Sequence, residues 1–521
     1  DVVHPLPNMN SYFPAVQEAH KILAPLKPSL NFVPGNHDLG DKLSEVAPAK
    51  AANDTTISIY KEAFGENYYS FDHAGILFVV MNSSLVNGGT EEEKRQRSWL
   101  ENLLREKKGK RIFLFSHYPP FICQEFESEH YDNYAEPGRH WLLDLAVFAN
   151  VEAIISGHVH HFFLNEHKGI KLYCLPATSF TRQDFSVIFR GLPTNEFGRD
   201  DTGKFGVTIF NVTENGHEFK WIPTHGKETI NDKKSQEEKN KPLLQIPNLI
   251  PSLRHDWCQS TTMPANGPME EFTRKVTRND YPILRLKQLG VKKVRVPLVD
   301  FLDPVSAARI HLLRGFGIKA VVFFSGNISK KDFKTLTNMN ENIHAIEVIS
   351  RDIPLSILEM LRDADWPVWY SKISTSANQS DDTKPFNISV STGCMADEIR
   401  DLSSNLAEIS PRQDLRLMVQ CPWQGDNMVS SIQEIVNDWN YIKNDVVELA
   451  INVRLAPSNP AKENVDSSAM AQTIRGVQSI AENNPNVEFI LDTFEAFDRG
   501  YHPRLGLIDT LSNISDWYPQ Q

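Results

Sequence analysis

The chain has 521 residues, of which 40% are hydrophobic and 23% are charged, and its formal net charge is -12 at pH 7. A chain of this length is too long to fold around one typical hydrophobic core, so two or three domains are predicted. The composition is that of a soluble globular protein. The acidic balance argues against a nucleic-acid partner, because no excess of Lys and Arg is available to displace counterions from phosphates. No apolar run approaches the roughly 18 residues of a membrane span. Any signal peptide would lie upstream of this sequence, so the compartment stays open. The oligomeric state stays open as well.

The first third of the chain alternates patterns typical of helices and strands. Apolar spacing predicts helices at residues 11–27 and 91–108. Short apolar runs between turn signals predict strands at Leu30 to Val33, Tyr68 to Asp72, Ile76 to Asn82, Arg111 to Phe115 and Val151 to Ile155.

Three of these strands end in residues that can bind a metal ion. Asn36-His37-Asp38 follows the first strand after a Pro-Gly break, Ser116-His117 follows the fourth, and Gly157-His158-Val159-His160 follows the fifth. Because α/β folds place their chemistry at strand ends, we expect these side chains to meet. A mixed set of imidazole, amide and carboxylate ligands suits a hydrolytic divalent metal centre. On extended backbone, the spacing of His158 and His160 would point both rings the same way, one to each metal of a pair.

The three ordered motifs resemble those of the calcineurin-like metallophosphoesterase superfamily. The resemblance implies an α/β/β/α sandwich over residues 1–228 and two divalent metal ions, Mn, Fe or Zn. It implies hydrolysis of a small phosphate ester, monoester or diester, by a metal-bridging hydroxide. By the same resemblance Asn36, His117 and His158 hold one metal and His160 holds the other. His37 would protonate the leaving oxygen, with Asp38 orienting its ring.

The start of the chain departs from the family pattern. No Asp-x-His motif stands before Asn36, and Asp1-Val2-Val3-His4 resembles the residues that come after the glycine of the family's Gly-Asp motif. Asp1 is therefore expected to be the metal-bridging carboxylate. The sequence is expected to lack the family's first strand and first metal motif, which leaves the activity of this stretch by itself open.

Two loops are further candidates for the same site. The segment from Tyr118 to Arg139 is rich in aromatic and acidic residues and is either a substrate lid or an ordinary surface loop. Arg182 either binds a phosphate or carboxylate or is solvated or salt-bridged. Short strands around Phe162 to Glu166, Lys171 to Leu175, Phe205 to Asn211 and Glu218 to Pro223 are expected to form the second sheet of the sandwich.

A charged run of low hydrophobicity predicts a linker at residues 229–250, after which the pattern changes. Residues 251–521 alternate apolar strands with amphipathic helices, which is typical of a (β/α)8 TIM-type barrel. The eight expected strands are Val291–Val299, Ile318–Phe324, Ile343–Ile349, Trp366–Ile373, Phe386–Ser391, Leu415–Gln420, Val446–Val453 and Val487–Leu491.

In such a barrel, function would lie at the carboxyl ends of the strands. The polar residues there are Asp300, Ser325, Asn327, Lys372, Gln420, Trp423, Asn452, Arg454, Asp492, Glu495, Asp498, Arg499, Tyr501 and His502. The last group faintly resembles the final strand and loop of some barrel glycosidases, but the pair of carboxylates that those enzymes need is absent from the expected strands. The alternative to a phosphoric ester hydrolase is thus a non-catalytic metallophosphoesterase scaffold joined to a carbohydrate-binding or glycosidase-like barrel.

Overall fold

A computed structural model describes residues 1–45, 47–225, 242–253, 257–265, 270–362, 364–374, 391–409, 414–442, 447–455, 467–496 and 505–520. The chain divides into two compact units. The first comprises Asp1–Ile188, Pro193–Lys227 and Ser260–Asp280, and the second comprises Phe189–Leu192, Glu228–Gln259 and Tyr281–Gln521. Residues 260–280, which the sequence analysis placed in the barrel region, therefore pack in the first unit.

The strands are β1 (Tyr69–His73), β2 (Ile76–Val80), β3 (Arg111–Ser116), β4 (Ala153–Ser156), β5 (Phe163–His167), β6 (Ile170–Cys174), β7 (Gly206–Thr213), β8 (Gly216–Pro223), β9 (Leu249–Pro251), β10 (Ser260–Thr262), β11 (Val276–Arg278), β12 (Lys293–Pro297), β13 (Lys319–Ser325), β14 (Ile343–Ser350), β15 (Val368–Ser374), β16 (Ser391–Thr392), β17 (Leu415–Cys421), β18 (Val447–Arg454) and β19 (Glu488–Asp492). The helices span Tyr12–Leu23, Asn36–Leu39, Asp54–Phe64, Glu91–Glu106, Gly138–Ala149, Asn195–Gly198, Tyr281–Gln288, Val299–Leu302, Pro304–Gly315, Lys330–Asn338, Leu355–Met360, Ile399–Ile409, Met428–Ile442 and Ser467–Asn483. Among the helices described, none combines the length and the apolarity needed to cross a membrane.

The first unit is built on a six-stranded sheet in the order β1-β2-β3-β4-β6-β5. Its central strands are parallel, and β3 and β4 are neighbours. The helix Glu91–Glu106 begins at Thr90, whose side chain accepts a hydrogen bond from the backbone of Glu93, and it packs Leu100 and Leu104 into the core. This cap and this apolar face explain why the helix was predictable from the sequence.

Two expectations about the first unit are wrong. Residues 30–33 form no strand, although Tyr69 donates a hydrogen bond to the carbonyl of Phe32. The strands β5 and β6 join the main sheet, so the pair β7 and β8 stands apart as a separate antiparallel hairpin. Periodicity predicts a strand but contains no information about its partner, which explains the second error.

The second unit contains eight parallel strands in the order β12-β13-β14-β15-β17-β18-β19-β9. A bridge between Ser252 and Arg295 brings the residue after β9 against β12, so the sheet closes on itself. Seven buried residues, one from each of seven strands, form its interior cluster: Ile250, Val321, Ala345, Trp369, Met418, Ala450 and Ile490. The mixed α/β class and the TIM-type barrel are therefore confirmed.

The strand count was right for a partly wrong reason. The first barrel strand is β9, which lies in the expected linker at residues 229–250. The expected strand Phe386–Ser391 lies largely outside the described residues, and the short β16 that follows pairs antiparallel with β15. A three-residue strand is too short to show periodicity, so only its pairing reveals it.

Candidate functional site

The expected metal ligands meet at one edge of the main sheet. His117 directly follows β3, and His158 follows β4 after Gly157. Because β3 and β4 are adjacent and parallel, their carboxyl ends lie side by side. Asn36 begins the short helix Asn36–Leu39 and reaches the same point. The three side chains are almost fully buried.

Three ligand atoms converge there. Asn36 Oδ1 lies 2.9 Å from His117 Nε2 and 3.2 Å from His158 Nδ1, and the two nitrogens are 3.0 Å apart. Metal–ligand bonds of about 2.1 Å place neighbouring ligands about 3.0 Å apart in octahedral and 3.4 Å apart in tetrahedral geometry. The spacing of the three atoms thus fits one divalent metal ion.

The protonation of these atoms also fits a cation. Asn36 Nδ2 donates to Tyr131 Oη at 3.1 Å, so Oδ1 is the atom that faces the histidines. His158 Nε2 lies 3.4 Å from an Asp132 carboxylate oxygen, which favours the tautomer with hydrogen on Nε2 and a lone pair on Nδ1. Two lone pairs then face each other across 3.2 Å, an unfavourable contact that a cation between them would relieve.

Asp1 lies beside these three ligands. Its Oδ2 is 3.6 Å from His117 Nε2, and its Oδ1 accepts a hydrogen bond of 3.0 Å from the backbone of His37. This position depends on Gly35, because a Cβ there would lie 2.0 Å from Asp1 Oδ1. The close approach therefore explains the glycine of the Gly-Asn-His-Asp motif.

The expected pairing of His37 with Asp38 is wrong in its geometry. The Asp38 carboxylate accepts hydrogen bonds from the backbone of Val2, Val3 and Gly35. It therefore ties the N-terminal segment to the glycine turn. His37 Nδ1 instead donates to the carbonyl of His4 at 2.5 Å, which leaves Nε2 as the outward ring atom.

The backbone around His158 and His160 is not extended. Both residues have positive φ, 65° and 59°, so the extended backbone from which their ring directions were expected is wrong. The His160 ring meets Phe180 edge-on at a centroid distance of 4.2 Å. Its Nδ1 is buried and has no hydrogen-bond partner within the described part of the chain. Left-handed backbone at non-glycine residues is uncommon and concentrates at functional sites.

A buried network of charges contacts the His158 ring at Nε2, the nitrogen that does not face Asn36 and His117. Asp132 contacts His158 with one oxygen and accepts a hydrogen bond of 2.7 Å from Lys275 with the other. Arg182 also donates to Asp132, and it donates to Asp184 at 2.7 Å. Of the roles expected for Arg182, binding a ligand or being solvated or salt-bridged, the structure shows the salt bridge.

The same network contains a cluster of three carboxylates, Asp132, Asp184 and Glu270, whose spacing could suit a metal ion. The ammonium group of Lys275 contacts all three. Although burial alone raises the pKa of Asp132, Arg182 and Lys275 hold it well below its ordinary value. Because the Lys275 ammonium group already occupies this cluster, the cluster is a poorer candidate for a metal ion than the point where Asn36 and the histidines meet.

The segment from Tyr118 to Arg139 is neither an exposed lid nor an ordinary surface loop. Tyr131 accepts the Asn36 amide and donates to Asp41 at 3.2 Å, and Tyr118 also donates to Asp41. Asp41, Tyr131 and Asp132 thus orient the ligands without reaching the central point. The aromatic and acidic composition of the segment was the signal that marked it. The sequence contains no comparable signal for Lys275.

Residues 4–162 match the family model described as calcineurin-like phosphoesterase. The N-terminal unit carries a calcineurin-like phosphoesterase domain. This match confirms the family expected from the motifs and the expected class of domain, a hydrolase of phosphoric ester bonds.

Curated relatives of the phosphoesterase domain are named serine/threonine-protein phosphatase CPPED1. The zebrafish protein (Danio rerio) is 27% identical over 252 residues, which are 47% of this chain and 72% of that protein. The mouse protein (Mus musculus) is 27% identical over 168 residues, 31% of this chain and 51% of that protein. The chain thus spans about half the length of the mammalian relatives that it matches.

Two solved structures show a partial likeness to this chain. One is GAP50 of Plasmodium, at 12% identity and a TM-score of 0.27, covering 43% of this chain and 72% of that one. The other is a purple acid phosphatase from yellow lupin (Lupinus luteus) seeds, at 18% identity and a TM-score of 0.20, covering 27% of this chain and 30% of that one.

Burial lowers the pKa of the three histidines proposed as metal ligands, His117, His158 and His160. It lowers the pKa of His158 to about 4 and that of His160 to about 2. The pKa of His117 also lies well below its ordinary value, chiefly because its ring is desolvated. Neutral imidazole is the form that binds metal, so these side chains are ready to act as ligands at neutral pH.

Several of the polar residues expected at the barrel strand ends are paired with other side chains. Asp300 accepts a hydrogen bond of 2.9 Å from Trp257, Lys372 pairs with Glu398, and Arg454 pairs with Asp492. Glu495 lies 3.5 Å from Arg190. Four of the expected residues lie outside the described part of the chain: Asp498, Arg499, Tyr501 and His502. Asp492 and Glu495 each contact an arginine, which does not support a glycosidase acid and nucleophile.

Proposed function

We propose that this chain hydrolyses phosphoric esters at a divalent-metal site in its phosphoesterase domain. The observation that carries the proposal is the convergence of Asn36 Oδ1, His117 Nε2 and His158 Nδ1 within 2.9 to 3.2 Å of one another. A divalent cation is favourable at a point where imidazole nitrogens and an amide oxygen converge. When bound, divalent metals activate water and neutralise the charge of the phosphoryl oxygens.

The finer proposal concerns a second metal ion. Asp1 lies on the side of His117 where it could serve both metals, and its other oxygen is fixed by the His37 backbone. The second donor for that ion is the buried Nδ1 of His160, which has no hydrogen-bond partner among the described residues. Asp1 and His160 thus complete a dinuclear centre of Mn, Fe or Zn.

His37 is proposed to assist the leaving oxygen. Its ring is half-buried, its Nδ1 is held by the His4 carbonyl, and its Nε2 is therefore the reactive atom. Burial lowers the pKa of His37, so the ring is neutral before substrate binds. The negative charge of a bound phosphate ester favours protonation of Nε2, which could then donate to the leaving oxygen.

The substrate is proposed to be a small phosphate ester. The constellation suits monoesters and diesters alike. Because the curated relatives are named serine/threonine-protein phosphatases, a phosphoserine peptide and a phosphothreonine peptide are further substrates to test.

Metal binding is the first test. Isothermal titration of the chain with MnCl2 and ZnCl2 is expected to show binding that His117→Ala abolishes. The matched control is His140→Ala, because His140 is 45% exposed and pairs with Glu136. Equal affinity in wild type and His117→Ala would contradict the assignment of the site.

Catalysis is tested with p-nitrophenyl phosphate, bis-p-nitrophenyl phosphate and the two phosphopeptides. We expect metal-dependent turnover of at least one ester, lost in His117→Ala and kept in His140→Ala. Tight metal binding without turnover of any ester would refute the hydrolase and favour the non-catalytic scaffold. The preferred ester would identify the substrate class.

A further inference from the structure

The barrel interior changes from apolar to polar along its strands. Residues two positions after the apolar interior cluster face the same side of each strand. These residues are Ser252, Phe323, Glu347, Ser371, Gln420, Asn452 and Asp492. Six of the seven are polar or charged, although the layer below contains only apolar residues. This polar layer lies towards the carboxyl ends of the strands, the end at which TIM barrels bind their ligands.

On one side of the polar layer, the polar side chains form hydrogen bonds with one another. Arg295 donates to both oxygens of Glu347, at 2.5 and 3.1 Å, and to Ser252 Oγ at 3.2 Å. Ser371 donates to Glu347 at 2.5 Å. This group needs nothing else and is structural.

On the other side, two side-chain oxygens have no hydrogen-bond partner among the described residues. Gln420 and Asn452 are register partners on the adjacent strands β17 and β18, and their exposed fractions are 8% and 3%. Gln420 Oε1 and Asn452 Oδ1 have no hydrogen-bond partner in the described part of the chain. Buried acceptors in this state cost free energy, so they need an explanation.

The loop that contains Thr392 and Gly393 contacts both Asn452 and the backbone of Gln420. Asn452 Nδ2 donates to the carbonyl and the hydroxyl of Thr392, at 3.2 and 3.1 Å, which orients Oδ1 away from that loop. The loop approaches Gln420 so closely that a Cβ at Gly393 would lie 2.7 Å from the Gln420 backbone nitrogen. Asn452 Oδ1 is thus held in place, and Gln420 lies opposite Asn452 on the neighbouring strand, at the usual strand spacing of about 4.8 Å.

The charges nearby restrict the ligand. Amide oxygens accept hydrogen bonds and repel anions, so the ligand must donate. Arg454, two positions beyond Asn452 on β18, pairs with Asp492, so these two charges balance and neither calls for a charged ligand. A hydroxyl group donates without carrying charge, and it can accept from other groups.

We infer that the carboxyl-end mouth of this barrel binds a neutral polyhydroxylated molecule, with hydroxyl groups donating to Gln420 Oε1 and Asn452 Oδ1. This site lies wholly in the second unit and does not depend on the phosphoesterase activity proposed above.

The test is a titration of the full chain with D-glucose, D-mannose, N-acetyl-D-glucosamine and myo-inositol, followed by calorimetry and ligand-observed NMR. At least one of the four is expected to bind. Gln420→Met, which removes the acceptor and keeps the length of the side chain, is expected to weaken that binding at least about tenfold. The matched control Gln433→Met, on the outer face of the helix Met428–Ile442, is expected to leave it unchanged.

Asn452→Leu should weaken binding in the same way, but it also removes the contacts with Thr392. Gln420→Met is therefore the decisive variant, with circular dichroism to confirm folding. Failure of all four polyols to bind would overturn the inference. So would binding that Gln420→Met leaves unchanged, or binding of methylammonium or inorganic phosphate at this site in place of the polyols.

Discussion

Lys275 should be among the most sensitive positions of the phosphoesterase domain. Its ammonium group is fully buried and contacts Asp132, Asp184 and Glu270, which are themselves almost fully buried. Lys275→Met keeps the length and the apolar stem of the side chain but removes the charge. Asp132 and Asp184 would keep their contacts with Arg182, but all three carboxylates would lose the ammonium group that they share.

The expected cost follows from the burial of these groups. Removing one partner of a buried ion pair typically costs about 3–5 kcal/mol, because the remaining charge stays desolvated. For a unit of this size each kcal/mol lowers the melting temperature by about 2–4 °C. Lys275→Met should therefore lower the melting temperature of the first unit by about 10 °C.

The assay is thermal and urea unfolding of the full chain at pH 7. Lys94→Met is the control, since Lys94 forms an exposed pair with Glu91 that solvent screens. Adding Glu270→Gln to Lys275→Met removes one unbalanced charge and should recover part of the loss. A cost within about 1 kcal/mol of that of Lys94→Met would refute the reasoning.

Three further predictions concern metal binding, acid stability and the barrel. Because burial lowers the pKa of His158 to about 4, protons should not compete with metal at pH 6, and titration calorimetry should show an affinity for Mn or Zn that changes less than about threefold between pH 7.5 and 6. A loss of about tenfold or more, as two histidines of ordinary pKa would give, would contradict this. Burial alone would raise the pKa of Glu488, but His344 and Lys293 lower it to about 2. Its contribution to stability, on the order of 3 kcal/mol, is therefore present above about pH 4.5 and lost as pH falls towards 2. The difference in unfolding free energy between wild type and Glu488→Gln, measured in urea, should therefore disappear in acid. A difference that persists at pH 2 would disprove the pairing. Gly393→Ala should cost about 3 kcal/mol, because φ is +112° and the new Cβ would meet the Gln420 backbone, whereas Gly326→Ala, with positive φ and open space, should cost about 1 kcal/mol in the same unfolding experiment. Equal costs would show that close packing is not what requires Gly393.

Part of the candidate site was predictable because two of its proposed ligands follow strands. His117 and His158 each come after an apolar run, and parallel strands end at a common edge, so order along the chain was enough to bring these two together. Asn36 was expected at the same edge, but no strand precedes it. The same logic worked for the barrel, where alternating strands and helices admit few arrangements. These are local patterns, and local patterns are what a sequence displays.

The sequence by itself determined the class of both units and the strand ends that carry the chemistry. Only the tertiary structure decided the partners: Asp38 with the backbone of Val2, Lys275 with Asp132, and the closure of the barrel by β9. Asp132 and Lys275 are 143 positions apart, and neither belongs to a motif. Contacts of this kind form because burial in a common core requires each charge to find a counterpart, and that requirement acts on the folded chain as a whole.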